Sequence, residues 1–72
     1  MNEHNVVRVK ETIMVTPNFE DEAIEIKAGW RGTIIAHADK PTPCVEFNEG
    51  YRGEPFLVDL DVANLEAVWE SR

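Results

Sequence analysis

The large apolar residues of this chain recur at every second position, in short runs cut by glycine, proline and asparagine. A period of two is the mark of a strand with one face buried, because successive side chains of a strand point to opposite faces. In Val6-Val7-Arg8-Val9-Lys10 the alternation turns Val7 and Val9 inward and Arg8 and Lys10 outward, and Ile13 and Val15 continue the inward phase. Thr16-Pro17-Asn18 breaks it, and Asn18 to Glu22 reads as a long acidic loop. Ile24 and Ile26, Ile34 and Ala36, Val45 and Phe47, then Phe56, Val58 and Leu60 form the later inward sets. Strands are therefore predicted at about 5–11, 24–28, 32–37, 44–48 and 55–60. Gly29 and Gly32 bracket Trp30 and Arg31 in a tight turn, where the backbone is expected to need positive φ. Pro41 and Pro43 stiffen the loop before the fourth strand.

The tail supports two readings. Val62, Leu65 and Trp69 have the i, i+3, i+7 spacing of a helix face, with Asp61 as its cap. Equally, Val62 to Leu65 forms one 3₁₀ turn and Ala67-Val68 a short closing strand. Either way the pattern predicts an all-β domain of about five strands with a short helical or 3₁₀ turn near its end.

Seventy-two residues leave room for one domain, spanning 1–72 with a core over about 6–69, and almost every inward apolar side chain must serve one core. Cys44 is the single cysteine, so no internal disulfide supports the fold, and a reducing, cytoplasmic setting is expected. The N-terminal MNEHNVVRVKE lacks the apolar stretch of a signal peptide. Fourteen acidic against seven basic residues give a formal charge of -7. Such a field disfavours phosphate backbones and anionic membranes and favours a basic partner. It also serves plain solubility.

In order along the chain stand Val7-Arg8-Val9, Gly29-Trp30-Arg31-Gly32-Thr33-Ile34, Pro43-Cys44-Val45-Glu46-Phe47 and Asn64-Leu65-Glu66-Ala67-Val68. This skeleton resembles that of small prokaryotic SH3-like barrels. The Ile26-to-Ile35 turn is similar to one in a large uncharacterised bacterial family of this size. The long first loop with Ile13-Met14-Val15 resembles the variable chain of ferredoxin–thioredoxin reductase. The resemblance implies a single SH3-like β-barrel and the work of a non-catalytic accessory subunit, whose partner is a catalytic or redox protein. The Gly29-to-Ile35 turn also resembles the KOW element of RNA-binding proteins, which is the second functional reading.

The sequence carries no Gly-rich phosphate loop, HExxH, CxxC or GxSxG motif, so no catalytic residue and no cofactor is expected. Cys44 has only His4 and His37 as candidate bases and reads as a half-buried strand residue. His37 and Cys44 across a hairpin are too few ligands for a structural metal site. Trp30 with Arg31, and Tyr51 with Arg52, are the candidate binding residues, because Trp, Tyr and Arg dominate interface energies. The competing reading folds Trp30 back over the open end of a barrel with Tyr51 beside it. Glu20, Asp21 and Glu22 are candidates for steering a basic partner. With Glu25, Glu46, Glu49 and Glu54 they also suit a third reading, a small acidic inhibitor that mimics nucleic acid. A proline-rich-peptide groove needs several aromatics in the first loop, and Phe19 is alone there.

Overall fold

The computed structural model describes residues 2–18, 20–48 and 55–69, with Trp69 described by its backbone alone. Among these residues lie β1 (Val6–Val9), β2 (Ile13–Val15), β3 (Ile24–Ile26), β4 (Arg31–Ala36), β5 (Cys44–Phe47) and β6 (Phe56–Asp59). A 3₁₀ turn (Val62–Asn64) and β7 (Leu65–Trp69) complete the order. The domain is all-β, as the alternation predicts. Five strands form one antiparallel sheet in the order β6-β5-β4-β1-β7, and β2 and β3 pair with each other as a separate ribbon. Among the described residues neither sheet closes on itself.

Two expectations are corrected here. The predicted first strand, 5–11, ends at Val9, and Ile13 to Val15 form a strand of the other sheet; with β7 in the tail, seven strands stand where about five were expected. The inward phase survives the break because the ribbon lies over the same core: Ile26 is fully buried in it, and Ile13, Val15 and Ile24 pack against it. The Thr12 hydroxyl accepts a hydrogen bond from the Ala28 amide at 3.0 Å and ties the base of the ribbon.

The tail takes its second reading. Asp61 Oδ1 accepts from the Ala63 amide at 2.9 Å, the turn lasts three residues, and Leu65 is already extended at φ -117°. Pairing with β1 decides the matter. Val9 lies opposite Leu65 and Arg8 opposite Glu66, and this register buries Leu65 but leaves Val62 exposed. The helical spacing of Val62 and Leu65 therefore marks no shared buried face.

The inward residues of the central strands form the core. Val7, Val9, Ile34, Val45, Phe47, Val58 and Leu60 are essentially inaccessible to solvent. The Phe47 and Phe56 rings stack with centroids 5.5 Å apart. The two glycines of the turn serve different ends. Gly29 has φ 94°, as a side chain would disfavour. Gly32 is not in the left-handed region. It pairs with Val7 on one side and Phe47 on the other, and a Cβ there would lie 2.6 Å from Val45 Cγ1 and 2.9 Å from the Glu46 carbonyl oxygen. The sheet needs a glycine at 32 because nothing larger fits, which corrects the expectation of positive φ there.

The two ends of the five-stranded sheet differ. At β6 the Asn18 amide, from the loop after β2, donates to the Leu57 carbonyl at 2.8 Å. At β7 the register shifts by one residue, Val6 facing Trp69 and Val7 facing Ala67, so that Val68 is bulged. No helix of the described residues is long and apolar enough to cross a membrane.

Candidate functional site

Trp30 owes its position to the turn before it. Its amide bonds the Lys27 carbonyl at 3.1 Å, and Gly29, third in that turn, supplies the positive φ of a type II turn. Val9 then meets two residues at once. Its carbonyl accepts from Gly29 at 2.8 Å and its amide donates to Trp30 at 2.9 Å. This is a bulge with glycine at its first position, a device that re-aims the next side chain. The Trp30 side chain is half-buried and packs against the core. Of the two readings of Trp30, the structure shows the contact with the core that folding back requires, and it leaves part of the side chain accessible. Trp30 lies opposite buried Val9 and in the same phase as buried Gly32 and Ile34, which accounts for its side.

Arg31 is exposed and begins β4 directly opposite Arg8 of β1. Arg8 has a second neighbour, Glu66 of β7, and their side chains form an ion pair at 2.9 Å. Both partners are about half exposed, so the pair contributes no more than about 1 kcal/mol. Tyr51 and Arg52 lie outside the described residues, as do Phe19, Glu49 and Glu54.

Glu20, Asp21 and Glu22 are all exposed on the loop joining β2 to β3. The ribbon below them shows Met14 to solvent at 64% exposure, directly opposite Glu25. From Glu11 to Ile26 the chain carries Glu11, Glu20, Asp21, Glu22 and Glu25 and no lysine or arginine. Met14 was not among the candidate residues, though its outward place follows from Ile13 and Val15 facing in. Arg8 and Glu66 were not among them either, and only the strand register reveals their relation to Arg31.

Cys44 is buried rather than half-buried, opposite Ala36 on β4 and Asp59 on β6. Burial pushes its thiol pKa up, and the neighbouring Asp59 carboxylate, followed by Glu46, pushes it further. The Asn18 amide group lies 3.8 Å from its sulfur. A thiol held protonated is a poor nucleophile. His37 does not continue β4. It adopts φ 56° and accepts the Lys40 amide through its carbonyl in a turn, and its side chain is exposed. Among the described residues no three His, Cys, Asp or Glu side chains gather as metal ligands, and no pocket forms.

Comparison with protein-family models, with curated proteins and with solved structures finds no match to this chain.

Proposed function

We propose that this chain is a non-catalytic protein-interaction module of SH3-like barrel type, an accessory subunit that docks on a basic surface of a partner protein. The architecture is read from five strands in one sheet, a long first loop that carries its own hairpin, and a 3₁₀ turn before the last strand. The observation that carries the functional reading is the β2–β3 ribbon. It presents an exposed methionine beside Glu25 and, at its tip, three exposed carboxylates, in a segment free of basic residues. Methionine adapts to irregular partner surfaces, and a local excess of one charge steers encounter with the opposite one. A reducing, cytoplasmic setting suits the single buried thiol.

The test is affinity capture from native lysate with mass spectrometry, followed by kinetics on the purified pair. Reversal of Glu20, Asp21 and Glu22 to lysine should slow association more than it speeds dissociation, and Met14→Ser should speed dissociation. An acidic inhibitor that mimics nucleic acid predicts instead that the triple reversal abolishes binding and that Met14 is indifferent. Submicromolar binding of labelled RNA at about 0.15 M salt, lost with Arg31→Ala, would replace the proposal with the KOW-like reading.

A further inference from the structure

Arg8 and Arg31 face each other across neighbouring strands of a protein whose formal charge is -7. The hydrogen-bonding alternation of the ladder sets their spacing. Val9 bonds across to Trp30, and at the far end Ile34 bonds to Asn5. Arg8 and Arg31 therefore occupy a site without mutual backbone hydrogen bonds, where opposed Cβ atoms come closest, roughly 4.5–5.5 Å apart. Like charges placed so are destabilising, and the chain answers on one flank only. Glu66 pairs with Arg8, while among the described residues the exposed Arg31 side chain has no ion pair. The row Glu66–Arg8–Arg31 thus carries one uncompensated positive charge.

We infer that the Arg8–Arg31 pair is a receptor for one carboxylate of a protein partner, with Glu66 holding Arg8 in place beside it. The cluster already binds one carboxylate within the chain, that of Glu66, and a second between the two guanidiniums completes a row of alternating charge. Guanidinium groups match a carboxylate with two parallel hydrogen bonds. The rest of the molecule selects the occupant. A nucleic acid brings a charge every ~1.7 Å and would spread its repulsion over the acidic surface, whereas a single aspartate or glutamate seated between the two guanidiniums meets Glu66 alone at close range, across Arg8. The inference rests on the interaction-module reading for its occupant alone, since the receptor itself can be tested without the partner.

The probe is a capped peptide, acetyl-Gly-Ser-Glu-Ser-Gly-amide, with its Gln counterpart as control, titrated at constant ionic strength while the arginine Nε–H resonances are followed by NMR. Saturable shifts of Arg8 and Arg31 with the Glu peptide alone are expected, with weak affinity in the millimolar range. Arg31→Ala should weaken binding about tenfold or more. Glu66→Gln should weaken binding about threefold, because Arg8 loses the carboxylate that holds it; unchanged or tighter binding would remove Glu66 from the receptor. All three side chains are solvent-facing, so both variants should keep the wild-type amide spectrum. Equal shifts with the Gln peptide, non-saturating shifts, or unchanged affinity in Arg31→Ala would overturn the receptor. Capture of a partner that tolerates Arg31→Ala would overturn this inference while leaving the interaction module standing.

Discussion

Adding a single methyl group at Gly32 tests how closely β4 and β5 are packed. The new Cβ would lie 2.6 Å from Val45 Cγ1, 2.9 Å from the Glu46 carbonyl oxygen and 3.0 Å from Phe47 Cδ1. Val45 and Phe47 are fully buried, so neither has room to change rotamer, and the Glu46 oxygen belongs to the backbone of the adjoining strand. Relief therefore requires the two strands to move apart. Overpacking a tight core costs about 1–3 kcal/mol when side chains can adjust, and backbone involvement places Gly32→Ala at the top of that range, about 3 kcal/mol. A domain of this size has roughly 4–11 kcal/mol in all. At 4–8 °C per kcal/mol the melting temperature should fall by roughly 12–24 °C. Gly29→Ala is the internal control. Nothing lies within 4 Å of its Cβ, and its φ of 94° is the only source of strain, worth about 1–2 kcal/mol. Asparagine tolerates left-handed backbone and should restore part of the loss at 29 but none at 32. Thermal and urea unfolding, followed by circular dichroism, measures all of these variants. A Gly32→Ala loss smaller than that of Gly29→Ala would refute the steric account.

Asp61→Ala removes the side-chain acceptor for the Ala63 amide and should cost about 1 kcal/mol in urea unfolding; Asp61→Asn should keep most of it. Trp30→Ala should destabilise by about 2 kcal/mol or more through lost packing, less than a fully buried aromatic costs, with Trp30→Phe recovering over half. A Trp30→Ala variant as stable as wild type would return Trp30 to the surface. Cys44 has a folded-state pKa above its unfolded one, so its contribution is complete below the unfolded value and is lost as pH rises through the folded one. Beyond about pH 8.5 wild type should lose more stability than Cys44→Ala, and native Cys44 should react with iodoacetamide only as fast as the protein opens. Equal alkaline losses in the two proteins would show that the thiol titrates normally.

The core was legible because alternation is local. Val7 and Val9, Val45 and Phe47, and Phe56, Val58 and Leu60 each declare their buried face within a few residues, and each set is buried. Partition into two sheets was not legible, because Ile13 to Val15 carry the same phase as β1 while pairing with a strand about ten residues further on. Gly32 illustrates a second limit. Its neighbours Val45 and Phe47 come from another strand, and no local pattern distinguishes a glycine kept for space from one kept for φ. The site was legible only as composition. Arg31 and the acidic loop were marked by residue type, but Arg31 acquires its relation to Arg8 and Glu66 from the register of three strands. Trp30 was left open between surface and core because it stands in a turn, although it shares the inward phase of Gly32 and Ile34.

The two ends of the five-stranded sheet bear on how this protein behaves when crowded with copies of itself. A sheet whose terminal strands are straight and bare grows by accepting further strands, the route to fibres. Here a loop amide occupies a carbonyl on β6, and an extra residue at Val68 kinks β7. Among the described residues each border thus carries one interruption. Both features disfavour addition of a further strand, by different means: an occupied acceptor on β6 and a bend in β7.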